Sequence, residues 1–245
     1  VAYGAKVVPV RVLGKCGGSL SDIADAIIWA SGGTVSGVPA NANPAEVINM
    51  SLGGSGSCGT TYQAAIDGAV SRGTTVVVAA GNDNADTSGY RPGNCNNVIA
   101  VASTTRTGAR SSFSNYGSLI DVAAPGSSIY STVNSGTTTP STEGYSSMSG
   151  TSMAAPHVAG VAALMQAKAG GTLPPAQIES KLKSTLRAFP TTPDRTIGGG
   201  IVNAKAAVDS ICTSNCGGGS GTLTKGVAQT ISSATGTYAK FTMDV

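Results

Sequence analysis

Four short apolar runs constrain this chain most: residues 47–52 (VINMSL), 74–80 (TTVVVAA), 98–103 (VIAVAS) and 119–124 (LIDVAA). Each is continuous in hydrophobicity rather than alternating, the pattern of strands covered on both faces. Helical spacing occurs before the first of them, at residues 22–30 (DIADAIIWA), and between the first two, at 62–72. A further β-rich run, residues 6–13 (KVVPVRVL), ends at Gly14 and reads as a strand feeding the first helix. Buried strands alternating with helices predict an α/β fold whose mostly parallel sheet has helices on both sides. Ligands of such sheets bind at the carboxyl ends of the strands, here Ser51-Leu52-Gly53 and Gly81-Asn82.

Beyond a Ser/Thr-rich polar stretch at 131–149, a long helix is expected from Ser152, followed by shorter helices at 175–186 and 203–210. From Cys216 the chain becomes GGGSG and then Thr- and Val-rich strand material. This predicts a domain over 1–215 and, over 216–245, a linker with the start of a second, β-rich domain.

Composition removes several function classes. The net charge of +3 is spread thinly over 245 residues with no basic run, so nucleic acid and membrane surfaces are not expected partners. The five cysteines, at 16, 58, 95, 212 and 216, lack metal-ligand spacing, and a single histidine accompanies them. Disulfides in an oxidising compartment are the expectation, the alternative being buried apolar thiols. The odd count leaves one thiol over.

The chemistry is concentrated in residues 150–160, GTSMAAPHVAG. A serine opening a helix has unpaired backbone N–H groups and the positive end of the helix dipole beside its oxygen. Pro156 is expected within the first turn, where its missing N–H breaks no helical bond. Ser152 could do no more than cap the helix, but the longer segment resembles the nucleophile motif of the subtilisin-like serine proteases, proteinase K-like branch. KVVPVRVLG, VINMSLGG, VVVAAGNDNAD, SSFSNYG and DVAAPG resemble landmarks of the same family in the same order. The tail after Cys216 resembles the beginning of a pre-peptidase C-terminal domain.

The resemblance implies a three-layer fold and a secreted endopeptidase. It makes Ser152 the acyl-forming nucleophile and Asn82 the side-chain donor to the oxyanion. It implies that a substrate backbone adds as a strand between Cys16-Gly17-Gly18 and Ser51-Leu52-Gly53. Ala79, Ala80 and Gly81 then line a primary pocket for a large apolar or aromatic side chain, although Ala79 and Ala80 also suit plain sheet packing. A bridge between Cys16 and Cys58 is the first expectation, since both fall on loops flanking the cleft. Cys212 and Cys216 could close a tight local loop, or one of them could pair elsewhere, and Cys95 has no evident partner. Asp121, with the carbonyls of Asn96 and Val98, matches a family calcium site; an Asp serving only as a hydrogen-bond acceptor is the alternative. No organic cofactor is implied.

The family triad runs Asp, His, Ser, and only the serine occurs here. The other two are expected upstream of residue 6, in an N-terminal segment that acts as a partner, so this chain lacks the fold's N-terminal strands and should leave a hydrophobic sheet edge open. His157 lies five residues past Ser152, about 7.5 Å along the helix and roughly 140° around it, facing away. Removing triad members leaves only residual catalysis, so the chain alone is expected to be a poor protease. The alternative reading is a catalytically impaired fragment with residual esterase activity or a binding role. An α/β-hydrolase is disfavoured, because GTSMA departs from G-x-S-x-G and no late histidine follows.

Overall fold

The structure, a computed structural model, describes residues 1–171, 173–211 and the backbone of 239–242. Its centre is a parallel sheet in the order β6-β5-β3-β1-β9, where β1 is Val47–Met50, β3 Thr75–Ala79, β5 Ile99–Thr104, β6 Val122–Pro125 and β9 Ala239–Thr242. Register is set by the pairs Val47 with Thr75, Val77 with Ile99 and Val101 with Val122.

Successive side chains of a strand point to opposite faces, and the continuous apolar runs thereby supply two cores at once. Val47, Val77, Ile99 and Val101 face helix α3 (Thr151–Ala169), together with Ile178 of α4 (Pro175–Ser184) and Ala207 of α5 (Ala204–Asp209). Ile48, Met50, Val76 and Val78 face the other way, against Ile23 and Ile27 of α1 (Leu20–Ala30) and Ala65 and Ile66 of α2 (Gly59–Ser71). The expected three-layer α/β arrangement is therefore present. Caps fix the helix ends: Ser19 accepts the Asp22 N–H before α1, Asn203 accepts that of Ala206 before α5, and Gly170 ends α3 in the left-handed region.

Three local expectations change. Residues 6–13 form no regular strand: Lys6 makes a single bridge, and Val8, Val10 and Val12 line one small space with residues of α1 and β1. Pro9 removes one donor, and the β1 edge, expected to be open, is paired in parallel with β9, Val47 opposite Ala239. The polar stretch holds an antiparallel hairpin, β7 (Ile129–Asn134) with β8 (Glu143–Met148), on which Tyr130 and Tyr145 stack at 5.7 Å. The Cys212–Cys216 loop and the domain boundary at 216 lie outside the described residues.

Candidate active site

Helix α3 begins at Thr151, with Gly150 as its N-cap, so Ser152 is the second residue of a 19-residue helix pointing its N-terminus past the carboxyl ends of β1 and β3. Pro156 is then in the second turn, not the first. Its missing N–H would have bonded the Ser152 carbonyl, four residues back. The Ser51 hydroxyl, one residue beyond β1, fills that vacancy by donating to the Ser152 carbonyl at 2.7 Å, and Asn49 Nδ2 donates to Ser51 Oγ at 2.9 Å. The proline that interrupts the helix ladder is thus what ties the serine to the strand end.

The Ser152 hydroxyl donates to the Ser51 carbonyl at 3.3 Å, its one hydrogen bond among the described residues. His157 has Nδ1 at 2.8 Å from the Met153 carbonyl of its own helix, which turns the ring away from Ser152 as the helical geometry requires.

Asn82 follows β3 and reaches the same helix end. Its Oδ1 accepts from the Thr151 backbone N–H at 2.8 Å and from Thr151 Oγ1 at 2.9 Å. Thr151 is fully buried, and its Oγ1 also receives the Gly81 N–H at 3.2 Å. With the acceptor end of the amide held in this way, Nδ2 is presented as a donor. Among the described residues neither Asn82 Nδ2 nor the Ser152 N–H has a hydrogen-bond partner. Both border the space beside Gly150, where a Cβ would lie 3.6 Å from each. Two free donors at a helix N-terminus, next to a hydroxyl, can stabilise an alkoxide-like oxygen formed by attack on a carbonyl. Thr151 carried no role in the sequence reading; its place directly before the serine was the only signal.

Ala79, Ala80 and Gly81 end or follow β3, and Ser51, Leu52 and Gly53 follow β1; of these, Ser51 bonds Ser152 and Gly81 bonds Thr151 at the start of α3. A wall that sequence reasoning missed closes the group. Strand β4 (Tyr90–Arg91) pairs antiparallel with β2 (Gly54–Ser55), and Pro92 and Gly93 follow it. The Arg91 carbonyl would lie 2.9 Å from a Cβ on Gly53, so this position needs glycine to let the wall approach, while the Tyr90 ring would be in ordinary contact, 3.6 Å, with a Cβ on Gly81. Cys16, Gly17 and Gly18, with residues 11–14, line an open cavity of about 470 Å³ and are turned tightly by paired bonds between Gly14 and Gly17.

The disulfide is Cys58–Cys95, with Cα atoms 5.1 Å apart, and not Cys16–Cys58; Cys16 is a free, exposed thiol. The β2–β4 pairing brings the 54–58 and 90–95 segments together, a long-range contact with no local sequence signal. The bridge staples the newly found wall to the start of α2.

The Asp121 site does not fit a calcium ion as arranged. Oδ2 accepts the Ala100 N–H at 2.9 Å, Oδ1 is taken by the Lys183 ammonium at 2.8 Å, and the Asn96 carbonyl accepts Gln63 Nε2 at 3.2 Å. Oxygen ligands for calcium need lone pairs free of competing cations; the arrangement is that of the hydrogen-bonding Asp. Among the described residues no cluster of three or more His, Cys, Asp or Glu side chains could hold a metal. Lys183 is correspondingly held more basic than usual by its hydrogen bond to Asp121.

A serine at the amino end of a buried helix, set against the carboxyl ends of a parallel sheet beside two donors unpaired among the described residues, is an arrangement that can carry acyl transfer in a three-layer α/β protein. The chain belongs to the Subtilase family, whose model matches residues 1–206. It is 65% identical over 248 residues to an extracellular protease of Xanthomonas campestris pv. campestris, covering 100% of this chain and 43% of that protein. It is 51% identical over 214 residues to an extracellular basic protease of Dichelobacter nodosus, covering 86% of this chain and 36% of that one. Among solved structures, a protease of Pseudoalteromonas arctica matches with a TM-score of 0.84 and 61% identity, over 86% of this chain and 64% of its own. The chain thus spans less than half the length of these first two relatives.

Proposed function

We propose that this chain is the nucleophile-bearing part of a secreted serine endopeptidase that cleaves peptide bonds through an acyl-enzyme on Ser152. The observation that carries the reading is the pair of unpartnered donors, Asn82 Nδ2 and the Ser152 N–H, flanking one space beside the Ser152 hydroxyl. Attack of Ser152 Oγ on a carbonyl carbon moves charge onto the carbonyl oxygen, which those donors receive; collapse expels the amine, and water then releases the acyl group. The relatives named extracellular proteases support both the peptide substrate and the secreted location. The walls at Ala79–Gly81, Gly53 and Tyr90–Gly93 favour a large apolar or aromatic side chain next to the cleaved bond.

Proton transfer needs a base, and Asp and His are proposed to come from an upstream segment of the same precursor that completes the site. The Ser152 hydroxyl donating to Ser51 favours a second reading for the chain by itself: poor amide cleavage, residual reaction with activated esters, or binding only.

Hydrolysis of a peptide p-nitroanilide by the completed enzyme tests the assignment. Ser152→Ala should abolish turnover, and Asn82→Ala should lower kcat by about 10²- to 10³-fold with KM little changed. Unchanged kcat in Asn82→Ala would remove the oxyanion role.

A further inference from the structure

Asn82 is gripped at its side chain by Thr151, but its backbone stands on a loop, residues 80–86, whose shape decides where the amide points. That loop is built around one side chain. Asn115 is fully buried. Its Nδ2 donates to the Ala80 carbonyl at 2.9 Å, and its Oδ1 accepts from the N–H groups of Asp83 at 2.9 Å and Ala85 at 3.1 Å. Its backbone N–H donates to the Gly81 carbonyl at 2.9 Å. The residues bonded are thus 80, 81, 83 and 85, those around Asn82 but never Asn82 itself.

The fit is close. A Cβ on Gly81 would sit 2.2 Å from Asn115 Nδ2, and Gly81 has a φ of +107°, so glycine is required on both counts. Only a carboxamide offers a donor and a two-coordinate acceptor in one planar group at this size. A carboxylate would turn an oxygen toward the Ala80 carbonyl, and an aliphatic side chain would orphan two N–H groups and a carbonyl. The support continues outward: Arg110, its side chain 6% exposed, donates from Nη1 to Asn84 Oδ1 at 2.8 Å and to the Ser114 carbonyl at 2.7 Å, while the Asn84 N–H donates to the Phe113 carbonyl at 2.8 Å.

We infer that Asn115 is a positioning residue for the reaction: it fixes the backbone on either side of Asn82 and so holds the Asn82 amide where the oxyanion forms. This rests on the oxyanion reading of Asn82. A misplacement of about 1 Å at a preorganised donor can cost on the order of 10²-fold in rate. Loosening the loop, with Thr151 still gripping the side chain, is expected to cost about 10-fold.

The test is a double-mutant cycle in the completed enzyme, with kcat and KM measured on a peptide p-nitroanilide for wild type, Asn115→Ala, Asn82→Ala and the double variant. Asn115→Ala should lower kcat by about 10-fold with KM changed less than about 2-fold, and the same change made in Asn82→Ala should cost less than about 2-fold. Asn115→Asp, which keeps both acceptor bonds, should retain more of kcat than Asn115→Ala, and it replaces the alanine variant in the cycle if that fails to fold. An equal loss from Asn115 substitution in both backgrounds, or no loss in kcat, overturns the positioning role while leaving Asn82 intact. A neutral Asn82→Ala overturns the oxyanion reading and this inference with it.

Discussion

Pro156 and Ser51 make a pair whose energetics can be worked through. Ser51 is 2% exposed, and its hydroxyl supplies the bond to the Ser152 carbonyl that the Pro156 nitrogen cannot. Ser51→Ala removes a bond with a net value of about 1 kcal/mol and exposes part of the roughly 1–3 kcal/mol penalty for an unsatisfied carbonyl. The bond is only part-buried, so the total is taken as about 1.5–2 kcal/mol. For a chain of this size that lowers Tm by about 3–8 °C. In a Pro156→Ala background the restored N–H at 156 bonds the Ser152 carbonyl in the ordinary helical way, and Ser51→Ala should then cost about 1 kcal/mol less than it does beside the proline, the loss of the acceptor for Asn49 Nδ2 being common to both backgrounds. Urea unfolding of the four proteins, with the midpoint shifting and the slope unchanged, measures the difference. An equal cost of Ser51→Ala in both backgrounds would refute the claim that the hydroxyl replaces the missing helical donor.

Other outcomes follow from the same structure. Replacing Cys58 and Cys95 by serine opens a 37-residue loop and should destabilise the protein by about 4 kcal/mol in the chain-entropy account, while native alkylation and peptide mapping should modify Cys16 but neither of that pair. Asp194 is held at a pKa of about 2, chiefly by its hydrogen bond to Arg110. A carboxyl depressed in the folded state contributes stability that is present above its unfolded pKa of roughly 3.9 and lost as pH falls toward 2. Asp194→Asn should therefore flatten the stability curve between about pH 4 and 2, by a small amount because the carboxylate is largely exposed. At Asp121, Tm should not respond to calcium through this site while Lys183 is present; Lys183→Met should lower Tm and make it rise on adding calcium, and a wild-type rise abolished by Asp121→Asn would contradict the ion-pair account.

The sheet strands were legible because each is a short apolar run that must be covered on two faces, and alternation then assigns Val47 and Val77 to one core and Ile48 and Val76 to the other. Ser152 and Asn82 were singled out through the resemblance of GTSMAAPHVAG and VVVAAGNDNAD to family landmarks, whereas the strand ends at Ser51 and Gly81 could be read locally from where the apolar runs stop. What escaped was set by contacts far apart in the chain. The Cys58–Cys95 bridge and the Tyr90–Gly93 wall both depend on a two-residue pairing of β2 with β4 that has no periodicity to read. Residues 6–13 have strand composition but form no strand beyond the single bridge at Lys6, which composition alone cannot reveal. Pro156 was placed a turn too early: with α3 starting at Thr151 it is the sixth helical residue, beyond the first turn where a missing N–H costs nothing. Asn115 looks like turn chemistry in SFSNYG, and only its bonds to four neighbours of Asn82 show what it supports.

The central claim, that Ser152 is an activated nucleophile, is tested most directly by mass mapping after reaction with a fluorophosphonate. In the completed enzyme a single adduct on the peptide containing Ser152, absent in Ser152→Ala, is the expected result. No adduct on Ser152 in enzyme that contains the upstream Asp and His, or an adduct that persists in Ser152→Ala, would contradict it.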